Sequence, residues 1–323
     1  MVKLALIFVC LVAAVALPLA HAQTYPIRPV RLIVPFPPGG ANDVLGRLIG
    51  ARMAQSVGQQ FVVDNRGGAN SIIGCDLAAK ATPDGYTIVI VSGSHAINPA
   101  LYKKLPYDTL PDFASISLIG NGAYVLLASL ALPVDNVRSL VSLAKAKPET
   151  LNYASAGTGN VTHLALDLFS RTAGIKLVHV PYKGGGPAVT DVMAGHVSLY
   201  FGTVALAGPL IRSGKVKALG VSTSKRTAAF PNLPTIAESG VPGFQVSGWY
   251  GLLAPAKTPD AIVRKLSNEA TKAVNAPDVK DKLVNALGVD PVGGSPAELD
   301  ALIRADINRW SKMISELGIT AEQ

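Results

Sequence analysis

Apolar positions along the chain fall into short blocks whose period switches between that of strands and that of helices. Residues 30–34 (Val30-Arg31-Leu32-Ile33-Val34) are an apolar run of strand length, ended by the Pro/Gly turn Pro35-Phe36-Pro37-Pro38-Gly39-Gly40. Residues 43–57 then carry Val44, Leu48, Ala51 and Met53 at helical spacing, and Gly58 supplies a stop. A strand at 61–63, a glycine-bearing loop at 66–71, a helix at 72–81 and a strand at 86–91 follow. The same order returns from residue 151: strand 151–155, loop 157–160, helix 161–172 with Leu164, Leu168 and Phe169 on one face, strand 177–181, Gly-rich loop 182–187, helix 188–194, strand 197–201. Strands alternating with helices predict an α/β fold with parallel sheets, and two such rounds predict two similarly built halves.

The last 70 residues read as helical. Thr258-Pro259 fits an N-cap followed by proline at the first helical position, ahead of Ile262, Val263, Leu266, Ala270 and Val274. Ser295 and Glu298 fit a capping box. Behind it Leu299, Leu302, Ile303, Ile307, Trp310, Ile314 and Leu317 form a helical stripe, which we expect to pack back on the first half.

The N-terminus departs from this pattern. Lys3 precedes a continuous apolar run from residue 4 to 17, then Pro18 and Ala20-His21-Ala22. That is the layout of a secretory signal peptide cut after Ala22. Such a cut leaves Cys75 as the one cysteine of the mature chain, so no internal disulfide is expected, and Cys75 reads as a small buried residue. The 323 residues suit about two domains. A hydrophobic share of 49% against 15% charged predicts a large core. The net charge of +8 is scattered, with no basic run interleaved with aromatics, so nucleic acid is not the expected partner. A cationic surface that steers anions is the simpler reading.

Enzyme motifs are missing: there is no G-x-S-x-G, no G-x-x-x-x-G-K-[ST] and no H-E-x-x-H. His95, His163, His179 and His196 lack the spacing of metal ligands, so neither a metal nor a cofactor is expected. What remains is a set of small and polar residues just past predicted strand ends, where open α/β sheets bind ligands. The set comprises Phe36, Pro38, Gly39, Gly40 and Ala41; Ser92 and His95; Ser155, Ala156, Gly157, Thr158, Gly159 and Asn160; Tyr182, with Lys183, Gly184 and Gly185; and Thr203 after Gly202. Turns that open helices expose free N–H groups, which suit an anion. Asp43 fits an i, i+4 ion pair with Arg47, and equally a ligand contact. His163 fits a brace for its loop or a ligand contact. Trp249 and Tyr250, after Gly248, fit a cleft wall or interior packing.

Several blocks resemble those of one family: Val34-Pro35-Phe36-Pro37-Pro38-Gly39-Gly40 with Asp43 and Arg47, Pro83-Asp84-Gly85-Tyr86-Thr87, His95-Ala96-Ile97-Asn98-Pro99, Tyr153-Ala154-Ser155-Ala156-Gly157-Thr158-Gly159 with His163-Leu164, and Val180-Pro181-Tyr182-Lys183-Gly184-Gly185-Gly186-Pro187-Ala188. They are similar, in order, to the Bug or TctC-like receptors of tripartite tricarboxylate transporters. The resemblance implies a non-enzymatic, monomeric periplasmic receptor of the Venus-flytrap type (type II-like), each lobe a sheet flanked by helices. It implies lobes at 23–123 with 248–323 and at 124–247. It also implies a small carboxylate ligand, such as an organic acid, acidic amino acid or aromatic acid, delivered to membrane transporter subunits. The carboxylate would be held by backbone N–H groups of residues 38–42 and 156–160. The chain departs from the family pattern at Asp167, where Glu is usual, at Asn70, where Gly is usual, and at Ser71-Ile72-Ile73.

Overall fold

The structure is a computed structural model and describes residues 25–319, so the expected leader and its cleavage site lie outside the described residues. Strands β1 (Val30–Val34), β2 (Phe61–Asn65), β3 (Thr87–Ser92), β4 (Phe113–Gly122), β10 (Gly248–Pro255) and β11 (Val289–Gly294) form a six-stranded sheet in the order β11-β4-β10-β3-β1-β2. Strands β5 (Tyr124–Ala128), β6 (Asn152–Ser155), β7 (Val178–Pro181), β8 (Leu199–Thr203) and β9 (Lys217–Val221) form a five-stranded sheet in the order β7-β6-β8-β5-β9.

Both sheets are mixed rather than parallel throughout. Parallel pairing is confined to the β-loop-α rounds: β1 with β2 and β3, and β6 with β7 and β8. Of the strands that carry the chain between the sheets, β5 and β10 run against these rounds, whereas β4 runs with β1 and β3 and is paired antiparallel only because β10 lies between. The chain leaves the first sheet along β4, enters the second along β5, and returns along β10, which inserts antiparallel between β3 and β4. All eight residues of β10 are buried, so it carries no alternation of the kind that marks a half-exposed strand.

The helix α1 (Ala41–Val57) follows β1 and ends at Gly58 in the left-handed region. Its buried face is Leu45, Ile49 and Met53, whereas Val44 and Leu48 are half-buried and Ala51 is exposed. The expected face is therefore rotated by one residue, because Gly46 and Gly50 let the helix axis lie close on the sheet. A Cβ at Gly46 would stand 3.2 Å from Val34 Cγ2, and one at Gly50 would stand 3.1 Å from Phe61 Cβ. The α-helices between β2 and β9 are α2 (Ile72–Ala79), α3 (Ser94–Leu101), α4 (Val137–Ala146), α5 (Val161–Ala173), α6 (Gly185–Ala194) and α7 (Val204–Arg212).

At the C-terminal end, α8 (Asp260–Asn275) is capped by Pro259 rather than Thr258, whose hydroxyl instead donates to Pro255 O at 2.7 Å. After the short α9 (Pro277–Asp281), α10 (Pro296–Leu317) opens with the expected Ser295–Glu298 capping box and packs on α3 and β4 of the first sheet. Leu299, Ile303, Trp310 and Ile314 are buried there. A continuous apolar cluster runs from this stripe through Val91 and Ile97 to Leu164, Phe169 and Phe201 behind the second sheet.

One buried carboxylate pins α10 to β10. Asp306 Oδ2 accepts from Trp249 Nε1 at 2.7 Å and from Trp310 Nε1 at 3.2 Å, and Arg309 pairs with Oδ1 at 2.9 Å. Removing it leaves two buried indole N–H groups without partners. Asp306→Ala is expected to destabilise the protein by about 2–6 kcal/mol, at 1–3 per orphaned group, which a urea unfolding midpoint measures directly.

Candidate functional site

A cavity of about 310 Å³ opens between the carboxyl ends of the parallel strands of both sheets. Its size is at the low end of ligand pockets, which run to about 300–1,000 Å³. Five helices begin on it, each following a parallel-paired strand or its loop. They contribute Gly40, Ala41 and Asn42 before and within α1, Ser94 of α3, Asn160 and Val161 of α5, Gly184 to Gly186 of α6, and Thr203 ahead of α7. Phe36, Pro38, Leu206 and the tyrosines Tyr124, Tyr200 and Tyr250 complete the wall. Among the described residues, no Lys, Arg, His, Asp or Glu lines this cavity. Its field therefore comes from the positive ends of helices, not from ionised side chains.

The first turn is built to leave amides free. Gly39 N–H donates to Asp43 Oδ2 at 3.0 Å, and Gly40 caps α1 without a side-chain hydrogen bond. Among the described residues, no acceptor takes the amides of Gly40, Ala41 or Asn42. Asp43 lies beneath the turn. Its carboxylate also accepts from Arg47 Nε at 3.1 Å and Asn65 Nδ2 at 3.0 Å, and Asn65 Nδ2 reaches Phe36 O at 3.1 Å. Burial alone would raise the Asp43 carboxyl; the hydrogen bonds from Arg47, Gly39 and Asn65 outweigh it and hold the group below its ordinary range. Asp43 is thus placed as a strut for the turn.

The second turn is more self-contained. The amides of Ala156, Gly157 and Gly159 donate to Thr162 Oγ1, Ser155 Oγ and His163 Nδ1 at 2.9, 3.2 and 3.0 Å, and Asn160 N–H donates to Gly157 O. Of this turn, Ala156 and Asn160 reach the cavity wall. Gly159 has φ +72° and its Cα faces Leu101 across the cleft, so a side chain there is excluded by conformation and by space.

Beneath that turn lies a buried polar stack. The rings of His163 and His179 are stacked 3.8 Å apart. His179 Nε2 meets Ser155 Oγ at 2.6 Å, and His163 Nε2 meets Asp167 Oδ2 at 3.3 Å; Asp167 also accepts from the Tyr153 hydroxyl. His163 and His179 are both pushed down to about 4, His163 by burial and His179 chiefly by burial, with the neighbouring imidazole adding to it and Asp167 opposing it. His163 is therefore neutral, and because Nδ1 accepts from Gly159, its proton sits on Nε2 facing Asp167.

The remaining residues read from the sequence divide between the cavity wall and places off it. Ser92 and Thr203 line it, whereas Thr158 does not. The Tyr182 hydroxyl donates to Asp191 Oδ2 at 2.6 Å. His95 is buried between Tyr107 and Phe113, with Nε2 at 3.1 Å from Thr109 O. Trp249 points away to Asp306. Of the three tyrosines, Tyr250 was read from the sequence as a cleft-wall candidate beside Trp249, and Tyr124 and Tyr200 were not. The three lie on β5, β8 and β10, and the signal that marks them is a tyrosine in an apolar strand one or two residues from a glycine.

Two α/β sheets with a ligand-sized cleft at their facing strand ends define the periplasmic binding-protein class. The model of the tripartite tricarboxylate transporter family receptor (TctC) matches residues 45–319, and the chain belongs to that family of non-enzymatic solute-binding receptors. Over 306 residues it is 41% identical to the UPF0065 protein in the tcbD-tcbE intergenic region of Pseudomonas sp. (strain P51), covering 93% of this chain and 90% of that one. It is 36% identical over 308 residues to BugT of Bordetella pertussis, covering 95% and 94%. Among solved structures it is similar to R. palustris Rpa4515 with adipate (TM-score 0.89, 36% identity, 92% of this chain and 100% of that one). It is also similar to MatC of Rhodopseudomonas palustris with bound malate (TM-score 0.83, 35% identity, 90% and 100%).

The neutral histidines carry a pH consequence. Between their ordinary value of 6.5 and about 4, the unfolded chain binds protons on His163 and His179 that the folded chain refuses. Their contribution is thus complete above pH 6.5 and is lost as pH falls towards 4. Asparagine at 163 keeps an acceptor for Gly159 but cannot be protonated. His163→Asn is expected to reduce the loss of stability between pH 7 and pH 5 by up to about 2 kcal/mol, measured by urea unfolding at the two pH values.

Proposed function

We propose that this receptor captures a small carboxylate in the cleft and delivers it to the membrane subunits of a tripartite tricarboxylate-type transporter. The observation that carries this reading is the uncharged cavity with unpartnered amides at Gly40, Ala41 and Asn42. A carboxylate accepting three such bonds gains about 1.5–3 kcal/mol from each, which reaches the scale of roughly 8 kcal/mol that micromolar capture requires. Dipoles rather than an arginine make the grip reversible, as delivery demands. The acids seen in the relatives, adipate and malate, support the same chemistry here.

In this reading residues 23–123 with 248–323 form one lobe and residues 124–247 the other, the receptor works as a monomer, and the leader is removed after Ala22. The first turn supplies the main donors. Val161 N–H and the α5 dipole add to them from the other lobe once the lobes meet, so a ligand touching both favours the closed form. The wall of Tyr124, Tyr200, Tyr250 and Leu206 would select the body of the acid.

A thermal-shift screen of adipate, malate, glutamate and benzoate, followed by calorimetric titration of the hits, tests the ligand class; a ligand of the native state raises the melting temperature. Loss of uptake of the same acid on deletion of the gene tests delivery. Gly40→Pro is the sharp variant. Gly40 has φ −77°, which proline adopts, and the nearest atom to an added Cβ is 3.7 Å away, so the fold tolerates the change while one donor disappears. Affinity is expected to fall at least tenfold, with the melting temperature of the free protein little changed; unaltered affinity refutes the backbone grip.

A further inference from the structure

Across the cleft from the second turn, Ala69, Asn70 and Ser71 have φ of 45°, 48° and 79°. Three successive residues other than glycine in the left-handed region form a strained segment, and such a segment persists only where its surroundings hold it. Part of the hold is local. Asn98 of α3 donates through Nδ2 to Asn70 O at 3.0 Å and to Ser71 Oγ at 3.4 Å, and its Oδ1 accepts from Asn70 Nδ2 at 2.9 Å. Asn98 is completely buried.

The rest of the Asn70 side chain is directed across the cleft. Its Oδ1 accepts from Asn160 Nδ2 at 3.0 Å, and its Nδ2 approaches Gly159 O at 3.5 Å. Asn160 lines the cavity, caps α5 through Thr162 N–H, and gives its other amide proton to Ser94 Oγ at 3.2 Å. Asn70 and Ser94 belong to the segments around the first sheet, Gly159 and Asn160 to those of the second. Every polar atom of the Asn70 side chain therefore has a partner, and two of its three hydrogen bonds reach the segments of the opposite sheet.

We infer that Asn70 is a latch: it biases the ligand-free receptor towards the closed cleft and, through Asn160, fixes the start of α5 in its binding orientation. The strained backbone is what aims the amide at both Asn98 and Asn160. An Asn side chain suits this because it both donates and accepts in one plane, and it tolerates the left-handed region better than most residues. The latch rests on the two-lobed closing receptor proposed above, but it acts before any ligand arrives. Each molecule bound by a closed-biased receptor must enter during a transient opening, so the latch slows both capture and release.

The test uses ligand-free protein, so its outcome is independent of the carboxylate assay. Spin labels are placed at Val62 on β2 and Val178 on β7, both exposed edge-strand positions at 53% and 45%, while buried Cys75 stays unlabelled. Asn70→Gly removes both cross-cleft bonds of the Asn70 side chain, leaving the Asn160–Ser94 bond, and relieves the backbone at that position. Its inter-label distance distribution is expected to shift to longer values and broaden relative to the parent, with the melting temperature equal or higher. Asn70→Ala loses the same bonds but keeps the strain, so it is expected to show the same shift with a lower melting temperature. An unchanged distance distribution in Asn70→Gly overturns the latch whatever the melting temperature does, because it assigns Asn70 to its own loop alone. Should Asn70→Ala not fold, Asn70→Gly decides the question by itself.

Discussion

The structure depends on unpaired peptide N–H groups at the starts of helices. A helix cannot satisfy its first amides internally, and in this chain five helices begin on one cavity. The β-loop-α rounds make that geometry: each parallel strand runs towards the cleft, a short turn follows, and the helix sets off from it. The antiparallel-paired β4, β5 and β10 do the opposite work, passing the chain from one sheet to the other and back, so that the two sets of helix starts face each other.

The two turns share a role in the fold but are stabilised differently. The first is braced from below by the carboxylate of Asp43, with its own charge matched by Arg47, and keeps three amides free. The second is locked by side chains, with His163, Ser155 and Thr162 taking its amides. The His163–His179 stack works because both rings are neutral; a charged pair 3.8 Å apart within the protein would repel strongly. The rigid second turn, the open first turn and the asparagine bridge at Asn70 together divide the cleft into a fixed jaw, an accepting jaw and a link between them.

Much of this was legible in the residues, and the exceptions have physical reasons. The rounds from Val30 and from residue 151 could be read because glycine and proline punctuate short apolar runs, and those runs are β1, β2, β3, β6, β7 and β8. The direction of the sheets could not, because β10 is buried on both faces and its pairing is set by residues far away in sequence. The face of α1 was misjudged because glycines count as neutral in a periodicity while, in space, Gly46 and Gly50 mark the side nearest the sheet. At the cleft, the glycine turns were legible from their composition. The side-chain roles were not: His95 and Trp249 have polar atoms whose partners, Thr109 and Asp306, are 14 and 57 residues away. The tyrosines of the wall converge only through the crossing strands.

The absence of ionised side chains from the cavity separates two kinds of inheritance in the molecule. The free amides of the first turn belong to the main chain and are specified by turn shape, which a few glycines and the Asp43 strut maintain. The rest of the wall includes ordinary side chains, Tyr124, Tyr200, Leu206 and Tyr250. Substitution at those four positions reshapes the wall without deleting a main-chain donor, whereas drift in the turns changes the main-chain donors and leaves the wall intact. Gripping and choosing are thus encoded in different parts of the same polymer, and each can vary while the other is conserved by geometry.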